Sequence, residues 1–195
     1  MRPVETDVEL LTALREGDEN AFIVLVGRYQ ESMLRVARSF VQNRAVAEEA
    51  VQDTWIGVVK GIDRFEGRSS LKTWLFSILV HRAQSAGARE HKHTEAERDV
   101  EFRFTSEGTW ADPVERWDEE SDARLDAAYW SPFLKEALDT LAPRQRQVVL
   151  LRDLEGMSGT EVCTMLGISS GNQRLLLHRG RNQLRDILDA AMRKG

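Results

Sequence analysis

The stretch "SGTEVCTMLGISSGNQRLLLHRGRNQLR", Ser158 to Arg185, reads as two helices joined by a tight turn. Ser158 and Glu161 have the spacing of a capping box, in which a hydroxyl and a carboxylate satisfy two amide donors at a helix start. Gly167 closes that short helix, and Ser170 to Gln173 can form a second box that opens the next one. Two helices around a glycine-containing turn make a helix-turn-helix. At 100° per residue, Leu177, Leu184, Ile187, Leu188 and Ala191 fall on one face of the second helix. Arg174, His178, Arg181 and Arg185 form a second stripe, about 110° around the axis. An apolar stripe beside a basic one suits a docked helix that faces phosphates. Asn172 and Arg174 stand near its tip, where amide and guanidinium groups can pair with base edges.

The chain as a whole is acidic, with 27 Lys+Arg against 32 Asp+Glu. The charge is unevenly placed. Residues 1–94 balance 13 basic against 13 acidic groups, residues 95–131 carry a net −8, and residues 132–195 carry +3. Local charge is what a ligand meets within a Debye length of roughly 8 Å. The acidity therefore belongs to the middle of the chain, not to the basic helix.

Working back from the helix-turn-helix, Pro143 suits the first turn of "PRQRQVVLLRDLEG", where its missing N–H costs nothing, and Gly156 ends that helix. Ser131-Pro132 starts "FLKEALDTL". Residues 95–131 hold Gly108 and Pro113 and read as an acidic linker. Phe102, Phe104, Trp110 and Trp117 suggest that this linker docks on something. The first 94 residues read as helix after helix. "DVELLTALREG" carries Val8, Leu11 and Leu14 at helical spacing and ends at Gly17. Asp18 caps a helix with the stripe Phe22, Leu25, Val26, Tyr29, Met33, Val36, Ala37 and Phe40. Asn43 opens a third, with Val46, Ala50, Val51, Trp55 and Val58 on one face. After the turn "DRFEGRSS", Ser70 caps a fourth. No alternation of period two calls for a sheet. The expected fold is all-α: two small helical domains, residues 1–94 and 132–195, joined by the acidic linker.

Several residues carry a bland reading beside a functional one. Gln173 lies nearer the apolar side of its helix and reads as a cap more than as a base reader. Cys163, the one cysteine, excludes an intramolecular disulfide and reads as a small core filler. His178 reads as a phosphate contact or a surface residue. His81, His91 and His93 lack a ligand set with metal spacing, so neither metal nor cofactor is expected. Gly180 costs its helix about 1 kcal/mol relative to alanine unless close packing needs it. "MRPVETDVELL" has no apolar signal region, and the apolar stretch in "TWLFSILV" falls short of the roughly 20 residues that span a bilayer. A reducing cytoplasm is the expected location.

Two segments together resemble one family. "AEEAVQDTWIGVVKGIDRFEGRSSLKTWLFSILVHRAQ" is similar to the second conserved region of bacterial sigma-70 factors. "LDTLAPRQRQVVLLRDLEGMSGTEVCTMLGISSGNQRLLLHRGRNQLR" is similar to their fourth. Their order and spacing match the extracytoplasmic-function group. The resemblance implies a subunit without enzymatic activity that binds core RNA polymerase and directs it to promoter DNA, with an anti-sigma factor as a further possible partner. It implies that Glu49, Gln52, Asp53 and Trp55 face core polymerase, although Trp55 fits a core position nearly as well. It implies that Phe65, Ser69, Ser70, Lys72 and Thr73 open and read the minus-10 element, with Arg82 and Arg89 on phosphates further along. For the minus-35 element it points to Asn172, Arg174, His178, Arg179 and Arg181, with Arg144 and Arg146 clamping flanking phosphates. Asn172-Gln173-Arg174 and Leu176 depart from the common family pattern, so base contacts do not transfer. In the family the linker threads toward the polymerase cleft, where an acidic chain would occupy a basic channel. A stand-alone helix-turn-helix regulator is the alternative, and it leaves "VQDTW" without a role. An enzyme has little support, since Glu48, Glu49 and Asp53 lack a partnering histidine or second acidic motif.

Overall fold

The computed structural model describes residues 7–97 and 127–192. All the elements among them are helical. The linker residues 98–126, with Phe102, Phe104, Trp110 and Trp117, lie outside the described residues.

The first unit contains four helices. They are α1 (Asp7–Arg15), α2 (Glu19–Ala37), α3 (Arg44–Gly61) and α4 (Leu71–Glu97), with a 3-10 turn at Ile62–Arg64. Each start has a local cause. The Asp18 carboxylate accepts the Asn20 amide and the Asn43 side chain accepts the Ala45 amide, each at 2.8 Å. The Ser70 hydroxyl accepts the Thr73 amide at 3.0 Å. These bonds satisfy donors that a helix start would otherwise leave open. Between α1 and α2, Gly17 adopts φ +78°, a left-handed conformation that glycine enters without a Cβ clash. On α1 the buried residues are Leu10 and Leu14, while Val8 points to solvent, so the stripe is rotated from the expected one. Phe76, Leu75 and Leu79 of α4 are fully buried with Leu25 and Met33 of α2 and Val51 and Val58 of α3. Tyr29 meets Phe76 edge-on with ring centres 6.3 Å apart, and Phe22 meets Trp55 the same way at 5.7 Å.

The second unit contains α5 (Ala127–Thr140), α6 (Pro143–Val149), α7 (Gly159–Leu166) and α8 (Ser170–Met192). Helix α5 starts before the expected Ser131-Pro132 boundary. Pro132 therefore lies in its second turn, where it removes one backbone hydrogen bond rather than opening the helix. Pro143 occupies the first turn of α6 as expected. Past Val149 the backbone widens into a π-helical turn at Leu150–Leu154, with the Glu155 amide bonded to the Leu150 carbonyl at 2.9 Å. The Ser158–Glu161 capping box forms in full, and Gly167 ends α7 at φ +64°. The second box does not form as expected. Ser169, not Ser170, caps α8 by accepting the Asn172 amide at 3.2 Å, which makes Gln173 the fourth residue of the helix, where it is buried.

Gly180 does have a packing reason. A Cβ there would stand 2.7 Å from Val149 Cγ2, so its absence lets α8 lie close on α6. Crowding of this kind costs about 1–3 kcal/mol, against about 1 kcal/mol gained in helix propensity. Gly180→Ala is therefore expected to lower the thermal midpoint. Gly27→Ala, in α2 where nothing lies within 4 Å of the added carbon, is expected to raise it. Thermal unfolding followed by circular dichroism separates the two.

Buried apolar residues from both units form one connected cluster, from Leu10 to Leu184. Gln147 of α6 donates to the Ser39 carbonyl at 3.0 Å inside that contact.

Candidate nucleic-acid and partner interfaces

The basic stripe of α8 is displayed in part, with Arg174 and Arg185 exposed and His178 and Arg181 half-buried. Gln173, Leu177, Gly180 and Leu184 are buried, and Arg174, Arg179 and Arg185 on the neighbouring faces are exposed. Asn172 is exposed at the tip. His178 is half-buried, with its ring nitrogen 3.4 Å from the Asn182 amide. Arg181 is engaged differently from its neighbours. Its guanidinium donates to both oxygens of Asp153, at 2.9 and 2.6 Å. The hydrogen bonds to Asp153 hold its pKa above the ordinary arginine value despite partial burial. Across the motif, Arg144 is exposed and Arg146 pairs with Asp139 at 2.8 Å. Phosphate contacts by Arg181 or Arg146 would require exchange of those partners.

A second surface lies between α3 and α4. An open groove of about 930 Å³ is lined by Glu49, Asp53, Trp74, His81, Arg82 and Arg89, among others. Asp53 and Arg82 face one another across it at 3.5 Å. Gly57 lies beneath that guanidinium, where a Cβ would be 2.9 Å from Nη2. Glu49 and Gln52 are exposed and Asp53 half-exposed, so three of the four residues expected to face polymerase are available. Trp55 is not among them. It is 8 % exposed, stacks edge-on against Phe22, and donates from Nε1 to Gln30 Oε1 at 2.7 Å.

The third surface is the start of α4. Ser69 and Ser70 are exposed, Lys72 is half-buried, and Thr73 and Phe65 are buried. Phe65 lies against Trp74 with ring centres 5.1 Å apart, so this face of the ring is already occupied. Arg15 donates to its carbonyl. Arg82 and Arg89 lie further along the same helix, Arg82 about 18 Å from Ser70 at 1.5 Å per residue. The α4 tip and these arginines are therefore one extended surface.

Three residues that sequence reading passed over complete the geometry. Asp153 holds Arg181. Glu155, its side chain 4 % exposed, pairs with Lys72 at 3.0 Å and Arg35 at 3.4 Å. Glu161, read only as a cap, also accepts from the Thr73 hydroxyl at 2.7 Å. Hydrogen bonds from Ser158 first, then Thr73, hold its carboxyl below the usual pKa. Lys72 and Glu155 are 83 residues apart, and Thr73 and Glu161 are 88 apart. No local periodicity signals such pairs.

A helical chain that joins a groove-bearing bundle to a helix-turn-helix with an exposed basic stripe has the architecture of a DNA-binding transcription protein. Residues 25–92 match the family described as Sigma-70 region 2, and residues 134–184 match Sigma-70, region 4. The chain belongs to the sigma-70 family of RNA polymerase factors, in its extracytoplasmic-function group, and directs transcription. Sigma factors are DNA-binding regulators rather than enzymes. The chain is 31 % identical over 174 residues to the RNA polymerase sigma factor CarQ of Myxococcus xanthus, covering 89 % of this chain and 92 % of that one. It is 25 % identical over 194 residues to the sigma-H factor of Pseudomonas aeruginosa, covering 97 % of each. Among solved structures it resembles the sigma factor RpoE from Bartonella quintana, in complex with the anti-sigma factor NepR. There the identity is 26 % and the TM-score 0.58, over 86 % of this chain and 96 % of that one. CnrH, solved with the cytosolic domain of CnrY, shares the fold at 23 % identity and a TM-score of 0.57, over 94 % of this chain and 97 % of that one. Among the described residues no helix is long and apolar enough to cross a membrane.

Proposed function

We propose that this sigma factor divides its work among the three surfaces. Glu49, Gln52 and Asp53 on α3 dock core RNA polymerase, with Trp55 stiffening the helix from beneath. The α4 tip, through Phe65, Ser69, Ser70, Lys72 and Thr73, opens and reads the minus-10 element, while Arg82 and Arg89 hold its phosphates. Helix α8 reads the minus-35 element as duplex through Asn172 and Arg174, with His178, Arg179, Arg181, Arg144 and Arg146 on the backbone. The observation that carries this reading is the co-occurrence of an exposed carboxamide and carboxylate face on α3 with an exposed basic stripe on α8. A lone DNA-binding regulator needs only the second. The protein acts in the cytoplasm, where polymerase and promoter meet, and performs no catalytic chemistry of its own. An anti-sigma factor is its expected regulator, since the similar RpoE is solved with one bound.

Run-off transcription with purified core polymerase and genomic promoter fragments tests the proposal. Promoter-specific initiation supports it, and an absence of both initiation and core binding overturns it. Within that assay system, Arg179→Ala, at an exposed backbone-facing position, is expected to weaken duplex binding at every sequence by a similar factor. It should also lower the slope of log K against log salt by about 1, the loss of one neutralised phosphate. Asn172→Ala is expected instead to cost about 1–3 kcal/mol at one base position and little elsewhere. Anisotropy titrations over a salt series, on matched and mismatched minus-35 duplexes, distinguish these two outcomes.

A further inference from the structure

We propose that the second unit acts as an intramolecular stopper on the start of α4, with the carboxylates Glu155 and Glu161 taking the place of nucleic acid. Lys72 Nζ donates to the Glu155 carbonyl at 2.7 Å and pairs with its carboxylate at 3.0 Å. Thr73 Oγ1 donates to Glu161 at 2.7 Å. Arg35 approaches Glu155 from α2, so two cations of the first unit converge on one carboxylate of the second. Gln147 bonded to the Ser39 carbonyl adds a polar joint without charge. These contacts fall on the side chains that would meet the opened strand, so this inference rests on the minus-10 reading of α4.

The chemistry favours a reversible device over a permanent joint. Glu155 is a charge with a side chain only 4 % exposed, and its charge is compensated from the opposite unit alone. A buried carboxylate that loses its partners is strongly destabilising, so the pairs hold together while water is excluded. A polyanion competes for the same cations, and polymerase that holds the two units apart would release them. Glu155 follows directly on the π-helical turn at Leu150–Leu154, an irregular element that sets where its side chain emerges. In the closed state Lys72 and Thr73 are occupied, and free chain binds single-stranded DNA poorly.

The test uses amine acetylation of the full-length protein, followed by mass spectrometry. In the unmodified sequence, Lys72 is expected to react roughly tenfold more slowly than the exposed Lys60 and Lys135, because its charge-assisted bonds must break first. In Glu155→Gln, with folding checked by circular dichroism, Lys72 is expected to react severalfold faster than in the unmodified protein, because the ion pair is lost and only the bond to the backbone carbonyl remains. Equal rates in the unmodified protein, or undiminished protection in Glu155→Gln, would overturn the stopper. In a second arm, anisotropy with a random-sequence single-stranded 30-mer reads the functional consequence. Glu155→Gln is expected to bind roughly fivefold more tightly, as the competent fraction rises. Glu136→Gln, an equal change of charge at an exposed site on α5, controls for electrostatics alone. Equal affinity of Glu155→Gln and Glu136→Gln would overturn the inhibitory role. Acetylation rates report closure without reference to promoter recognition, so failure of the run-off assay and failure of the stopper are separate results.

Discussion

Truncating Phe76 to alanine is expected to cost about 3–5 kcal/mol of folding free energy, the usual range for emptying a fully buried aromatic site. Phe76 is the largest of the fully buried side chains and lies where α2 and α4 meet, edge-on to Tyr29. Its ring also lies 5.7 Å from Lys72 Nζ, so the residue joins the core to a proposed DNA contact. Stabilities of whole domains are about 5–15 kcal/mol, so the loss should leave a detectable unfolded fraction near physiological temperature. Phe76→Leu keeps most of the apolar volume and should cost much less. Urea unfolding monitored by helicity gives both values. A loss below about 1 kcal/mol for Phe76→Ala would mean that the α2–α4 core is not packed as described.

The second large effect is expected at the polymerase surface. Combining Gln52→Ala with Asp53→Ala should raise the dissociation constant for core polymerase about 30-fold, or roughly 2 kcal/mol, the threshold of an interface hot spot. Gln52 is exposed, and Asp53 is half-exposed with Arg82 as its partner, so the pair can be truncated with little loss of core packing. Thermal stability should therefore change little while run-off transcription falls. Duplex binding through α8 should be unaffected, because that helix lies in the other unit. Titration of labelled protein with core polymerase, run beside the thermal melt, checks the separation. An unchanged affinity would move the docking face elsewhere on the bundle.

What was readable in the chain follows the range of each interaction. Asp18, Asn43, Ser70 and the Ser158–Glu161 box announce helix starts because a cap is made within three residues. Pro143 and Gly167 mark boundaries through their own backbone restrictions. Where two neighbours offer the same chemistry, local reasoning chooses poorly: Ser169 and Ser170 both can cap, and packing of Gln173 decides for Ser169. Pro132 misled for a related reason, since a proline marks a helix start only when it falls in the first turn, and α5 begins five residues before it at the cost of one backbone hydrogen bond. At the candidate site, helical spacing revealed which face of α8 is basic. It could not reveal that Arg181 is held by Asp153, 28 residues away, or that Lys72 and Thr73 meet carboxylates more than 80 residues on. Trp55 shows the limit from the other side: an indole on an amphipathic face suits an anchor or a core, and its burial, its contact with Phe22 and its bond to Gln30 become visible only in the fold.

The arrangement of α8 separates what must be kept from what can vary. Gln173, Leu177, Gly180 and Leu184 bear the packing, and each stripe residue follows one position later, at Arg174, His178, Arg181 and Arg185. Selection can therefore rewrite the second register while leaving the first alone. A library randomised at Asn172, Arg174 and His178 on an unchanged scaffold should yield folded variants with altered promoter preferences, which makes this helix a starting point for orthogonal gene circuits.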